Sequence, residues 1–375
     1  MVTNMNKEYA VDAHQMSVLL LSVPLVILLF LISACGSGDE ASSDTGGDSD
    51  VTQESDVEGD ADESESDNSD GDSETTNEEQ EEDLSEETEE SETETEVETE
   101  DSEENGEDDL EEVTMRCNGF EELCARRFNE VAYVTTHNSM SNTDDGWIAP
   151  NQVHNIQTQL TDGVRGFMLD TYIYEGQPWL CHGDCRYGKK LMVEALSEMK
   201  DFLDSNPNEI LTIIFESYIS PIEAETVFEE SGLIDYVYAP APEQTEWPTL
   251  EEMINANHKM VVFTSPWDAG APDWYLEEWR YCWETPWHVT ELEGFDCSIN
   301  NGSQENDVFI LNHFLYGNFD LPTEELSAQA NANPFLYERA SSCLEETGRM
   351  PNFITVNHYS IGDVFEAVNQ LNGVE

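Results

Sequence analysis

The sequence predicts an α/β barrel of the TIM-type (β/α)8 kind, preceded by a signal segment and a disordered acidic spacer, and three observations predict it. Apolar, β-branched runs alternate with amphipathic helical segments from residue 131 onward, the pattern of a parallel sheet. The part of the chain holding nearly all the aromatic residues, 113–375, is 263 residues long, the size of one such barrel. The residues that follow the apolar runs are repeatedly His, Asn, Asp or Glu, and in an α/β barrel those positions converge on one rim. No dinucleotide or phosphate-loop glycine motif and no repeat of fixed period points elsewhere.

The elements follow in order. Residues 1–35 read as a signal peptide: 16–32 is a continuous apolar run, and it ends in Ser33-Ala34-Cys35, small residues before a cysteine. This ending resembles a bacterial lipobox, so the expectation is an exported cell-envelope lipoprotein tethered to a membrane through lipidated Cys35. An uncleaved anchor is the alternative, since the run is near the ~18-residue spanning threshold. Residues 36–112 contain 38 Asp and Glu and no Lys or Arg, and such a segment cannot bury enough apolar surface to offset its ordering entropy. It reads as a disordered, self-repelling linker.

Within 113–375, strands are expected at 131–136, 164–171, 210–215, 259–264, 308–312 and 353–356, each a short run rich in Val, Ile and Phe. Helices are expected at 153–160, 191–203, 222–230, 250–256, 324–332 and 364–371, where apolar residues recur at helical spacing. Two shorter segments, 179–181 and 234–238, bring the strand count to eight. A closed or nearly closed barrel is therefore preferred to an open doubly wound sheet.

This domain carries 43 Asp and Glu against 12 Lys and Arg. A balance of that sign excludes nucleic acid and an anionic membrane as partners bound through a broad basic face. It suits either a solvated surface or a reservoir for divalent cations. The domain is expected to work as a monomer. In an exported protein its seven cysteines read as disulfide formers, with Cys117–Cys124 and Cys181–Cys185 as the short-loop pairs. One of Cys282, Cys297 and Cys343 is then left over.

The residues at the strand ends allow phosphodiester chemistry. His137 and Asn138 follow the first strand, Asp170 and Tyr172 close the second, His182 follows the third and Glu216 the fourth, while His313 and His358 follow the last two. Two histidines flanking a phosphorus can remove a proton from an attacking hydroxyl and protonate the departing oxygen. The charge developing on the phosphoryl oxygens calls for a nearby cation, and Asn138, Asp170 and Glu216 are hard oxygen donors of the kind calcium takes. Arg165 or Arg186 could serve instead.

Thr136-His137-Asn138-Ser139, the segment 162–172 reading DGVRGFMLDTY, and Leu180-Cys181-His182-Gly183 together resemble the X region of phosphatidylinositol-specific phospholipases C. The closest resemblance is to its secreted phosphodiesterase branch, over residues 117–371. It implies a TIM barrel in which His137 is the general base and His182 the general acid, with Asp170 in the catalytic set. It also implies a phospholipid or related phosphodiester as substrate. In the calcium-dependent branch the metal ligands would fall on Asn138, Asp170 and Glu216, but the first acid of that branch's E-x-D pair is replaced by Met168. The metal-independent branch has D-x-R, where this chain has Asp170-Thr171-Tyr172. Arg165, Tyr172, His313 and His358 are the remaining substrate-binding candidates, and the Trp-rich stretch 266–287 is a candidate aromatic rim. Two rival readings share the barrel: a glycerophosphodiesterase or phospholipase D type, disfavoured by Met168, and a surface binding module without turnover.

Overall fold

The computed structural model describes residues 114–374. The signal segment with Cys35 and the acidic linker lie outside the described residues. Eleven strands form one sheet: β1 (Tyr133–Thr136), β2 (Gly166–Tyr174), β3 (Gln177–Leu180), β4 (Lys190–Leu191), β5 (Leu211–Ser217), β6 (Met260–Ser265), β7 (Tyr275–Glu277), β8 (Cys282–Glu284), β9 (Asn301–Gly302), β10 (Val308–Asn312) and β11 (Pro351–Val356). The helices are α1 (Ile156–Asp162), α2 (Met192–Ser205), α3 (Pro221–Ser231), α4 (Leu250–Asn255), α5 (Glu278–Tyr281), α6 (Glu324–Ala330), α7 (Phe335–Thr347) and α8 (Val364–Asn372). None of the described helices is long and apolar enough to cross a membrane.

Eight strands pair in parallel in the spatial order β7-β6-β5-β2-β1-β11-β10-β8. The two ends of that order, β7 and β8, are consecutive in the chain, joined by α5. Among the described residues no ladder joins β7 to β8, and the short α5 spans the seam between them. The result is a mixed α/β fold with a curled, unclosed parallel sheet.

Burial on both faces explains the near-continuous apolar strands. In β5, Ile213 and Phe215 pack toward the helices, while Ile214 packs with Val261, Phe263, Ile310 and Phe353 in a second apolar cluster that Met168 also joins. Helix α2 turns Met192, Ala195, Leu196, Met199 and Leu203 inward at helical spacing. Helix α3 starts with a capping box between Ser220 and Glu223 and stops at Gly232, whose φ of 73° lies in the left-handed region glycine tolerates. The end of the domain is clamped to its start by Asn372, whose carboxamide bonds both the N–H and the carbonyl of Ala132 at 2.9 Å.

Six of the eight expected strands are found, and two are corrected. Residues 179–181 belong to an antiparallel hairpin, β3 on β2, not to the barrel. Residues 234–238 form a 3-10 turn, Leu233–Tyr236, with one isolated bridge from Val237 to Met260. The missing strands are β7 and β8, three residues each, too short to show alternation. Helix α7 also lay unrecognised, because its buried stripe is Leu336, Arg339, Ala340 and Cys343, in which an arginine interrupts the apolar pattern.

Three disulfides form: Cys117–Cys124, Cys181–Cys185 and Cys297–Cys343, leaving Cys282 free and buried in β8. The third ties a loop after β9's partner strand to α7 across 46 positions. Its removal by Cys297→Ser with Cys343→Ser is expected to cost about 2–4 kcal/mol, read as a lowered midpoint in denaturant.

Candidate active site

His137 is built where β1 ends. Its N–H donates to the carbonyl of Val356 at 3.0 Å, and Asn138 then turns the chain with a left-handed φ of 47°, which asparagine adopts more readily than most residues. Nδ1 of His137 lies 3.0 Å from Oδ1 of Asn357, so this nitrogen carries the proton and Nε2 keeps its lone pair. The ring stacks on Phe314 with centroids 4.1 Å apart. Burial, and then the neighbouring His182, push the imidazole's pKa down to about 3. It is therefore neutral at physiological pH.

His182 stands in the five-residue ring closed by Cys181–Cys185, exposed at the rim. Burial of its ring lowers its pKa, while Glu216 opposes the shift. Nδ2 of the buried Asn138 is 3.1 Å from Nε2 of His137 and 3.3 Å from Nε2 of His182. Those two legs limit the imidazole nitrogens to about 6.4 Å apart.

A cavity of about 620 Å³ opens at this place, at the carboxyl ends of the parallel strands. Asp170 and Glu216 sit side by side in the β2–β5 register, and the Tyr218 hydroxyl donates to Glu216. Tyr172 stacks on Tyr218 at 4.6 Å. Asp170 is 6% exposed, and among the described residues no hydrogen bond or ion pair reaches its carboxylate. Burial and Glu216 raise its pKa well above the usual carboxylate range. Glu278 and Glu284 line the same cavity, and burial, then Glu284 and Glu216, push Glu278 up as well. Among the described residues no lysine or arginine lines it.

The cavity thus gathers His137, His182, Asn138, Asp170, Glu216 and Tyr172 as expected. Three other candidates are corrected. Arg165 precedes β2, at the opposite end of the strand from Asp170, where it pairs with Glu209 at 2.7 Å and donates to the carbonyls of Leu160 and Val164. His313 is fully buried behind the rim, between the carbonyl of Ala330 and the Arg339 guanidinium, each at 2.8 Å. His358 is 3% exposed and bonds the Ser327 hydroxyl at 2.9 Å. None of the three is among the residues lining the cavity. Arg186 is exposed and bound to Asp184. Glu278, Glu284, Phe314 and the tautomer-setting Asn357 escaped notice. Glu278 directly follows the unrecognised β7 and Glu284 ends the unrecognised β8, and Asn357 was overshadowed by the histidine beside it.

Among the described residues no three His, Cys, Asp or Glu side chains gather closely enough to hold a metal ion. The expected set needs only two, since Asn138 adds a carboxamide. Two adjacent carboxylates, one unpartnered and buried, in a cavity without a cationic side chain have the donor chemistry of a divalent-cation site.

The family model described as PI-PLC X 1 matches residues 123–372. An uncharacterized secreted protein of Arthroderma benhamiae is 31% identical over 289 residues, covering 70% of this chain and 65% of its own length. A PI-PLC X domain-containing protein of Arabidopsis thaliana is 33% identical over 278 residues, covering 66% of this chain and 62% of its own. The chain thus matches somewhat less than two thirds of these relatives' lengths. A solved variant of the phosphatidylinositol-specific phospholipase C from Staphylococcus aureus aligns with a TM-score of 0.47 at 14% identity, over 67% of this chain and 94% of that one. A likeness at that level carries no argument about chemistry. The fungal and plant relatives overturn the expected bacterial cell-envelope lipoprotein, because lipobox lipidation is a bacterial modification.

Glu278→Gln removes a charge that its surroundings disfavour. Since the folded state holds the Glu278 proton more tightly than the unfolded chain, ionisation at neutral pH works against folding. The variant is expected to melt at least about 2 °C higher at pH 7. The gain should shrink as pH falls toward the ordinary glutamate pKa of 4.5, which calorimetry across pH would register.

Proposed function

Because the chain belongs to the PI-PLC X domain family, we propose that it is a phosphoric diester hydrolase of the phosphatidylinositol phospholipase C type, with His137 as general base and His182 as general acid. The supporting observation is the Asn138 carboxamide within 3.3 Å of both ring nitrogens, which sets two imidazoles around one reacting centre. Nε2 of His137 accepts the proton of the attacking hydroxyl or water as its oxygen bonds to phosphorus. Asn357 holds the opposite ring nitrogen protonated, so the lone pair stays aimed into the cavity. As the bond to the departing oxygen breaks, that oxygen takes a proton from His182, a ring whose pKa burial lowers and Glu216 partly restores. A turn of the Asn138 carboxamide would present its oxygen to a protonated His182. A divalent cation such as calcium, held by Asn138, Asp170 and Glu216, would supply the positive charge that the lining side chains lack.

A lipid surface as the place of action is supported by exposed apolar residues on the segments that follow the parallel strands at the same rim. Ile222, Trp267, Trp287, Phe319 and Leu321 all stand out there, Phe319 at 85% exposure. The three disulfides fit an oxidising compartment. Met168, lining the cavity where the resemblance calls for an acid, favours a second reading: a barrel that binds a phosphodiester without turnover.

Phospholipid hydrolysis assays separate the two. His137→Ala and His182→Ala are each expected to lower turnover by about 10²–10⁴-fold, and chelation of divalent cations should abolish it. Wild-type turnover in either variant would defeat the acid–base assignment, and chelator-insensitive turnover the calcium site. Asn357→Asp sets a carboxylate against Nδ1 of His137 and favours the imidazolium. From a starting value of about 3, the acid limb of the kcat/KM profile should move to higher pH.

A further inference from the structure

Beyond the imidazole pair, the cavity has a chemistry unlike that of a phosphate site. The carboxyl ends of β7 and β8 bring in Glu278 and Glu284, 4% and 6% exposed. Both oxygens of Glu284 are occupied by carboxamide donors: Oε1 accepts from Asn300 at 2.8 Å and Asn301 at 2.6 Å, Oε2 from Asn312 at 2.7 Å. Three carboxamide donors thus hold the Glu284 carboxylate in place. Glu278 is the opposite case. It lines the cavity, is nine-tenths buried, and among the described residues receives no hydrogen bond or ion pair. Trp279, Trp287 and Tyr316 add aromatic surface to the same lining.

We propose that Glu278, Glu284 and these aromatic rings form a subsite for an organic ammonium group carried by the head group of the phosphodiester. The proposal rests on the hydrolase reading for the position of the phosphorus, but the charge of the subsite stands without it. A bulky, diffuse cation is held by a carboxylate field and by ring faces together, with no need of inner-sphere oxygens. A divalent ion would need them, and at Glu284 it would compete with three carboxamide donors. A neutral polyol would give the buried Glu278 no positive charge against which to ionise. A head group bearing further phosphates would meet Asp170, Glu216, Glu278 and Glu284 with no lysine or arginine among the lining residues. The acidic domain, with 43 Asp and Glu against 12 Lys and Arg, also suits a zwitterionic surface better than an anionic one.

Titration calorimetry on the full chain with phosphocholine, phosphoethanolamine and inositol 1-phosphate tests this. Both ammonium-bearing phosphates are expected to bind at least tenfold more tightly than inositol 1-phosphate, and Glu278→Gln should erase that preference. Trp287→Ala should weaken phosphocholine more than phosphoethanolamine if the quaternary ammonium is the preferred source, and both alike if any ammonium suffices. Equal or tighter binding of inositol 1-phosphate, or a preference surviving in Glu278→Gln, overturns the proposal. So does calcium binding that Glu278→Gln abolishes, which would mark a metal site. An intact ammonium preference in a protein that hydrolyses no phosphodiester would support the subsite while removing the hydrolase reading.

Discussion

Parallel pairing is the constraint on which the site depends. When eight strands run the same way around a curled sheet, whatever follows each strand arrives at the same rim, however far apart the residues lie in the chain. His137 after β1, Asp170 in β2, Glu216 in β5, Glu278 after β7, Glu284 in β8 and Asn312 in β10 share one cavity for this reason alone. The apolar cluster of Ile214, Phe263, Ile310 and Phe353, joined by Met168, packs the same strands, and Met168 and Ile214 also line the cavity. The polar residues are thus held on a close-packed scaffold.

The cavity's electrostatics are one-sided. Four carboxyl groups face it, and burial, then the neighbouring acids, hold Asp170 and Glu278 in their proton-bearing forms more strongly than water would, with no lysine or arginine among the described lining residues to oppose them. His137 is pressed the other way, toward neutrality. Ligand-free, the site minimises buried charge. A positive charge brought into it would meet acids able to ionise.

Much of this was legible in the sequence, and the parts that were not have physical causes. The long strands at β1, β2, β5, β6, β10 and β11 could be recognised because burial on both faces forces an apolar run. β7 and β8 could not, because three residues carry no periodicity and lie among tryptophans that read as a loop. Glu278 and Glu284 vanished with them. His137, Asn138, Asp170, His182 and Glu216 were found because they follow recognisable strands or a distinctive short motif. Arg165, His313 and His358 were overvalued for a related reason: position relative to a strand does not say whether a side chain faces the cavity, a carboxylate partner or the core. Only the partners Glu209, Arg339 and Ser327 decide that.

His137 and His182 are oriented by different means. The base is fixed by stacking on Phe314 and by the Asn357 carboxamide, the ordinary devices of a packed interior. His182, the proposed acid, stands at the rim as an exposed residue with a largely desolvated ring, and a sulfur–sulfur bond four positions wide confines it. The freedom that a solvent-facing loop would surrender on meeting substrate has been given up in advance, when the cysteines joined. A rim residue can thereby be both reachable from bulk water and nearly as pre-aligned as one in the core.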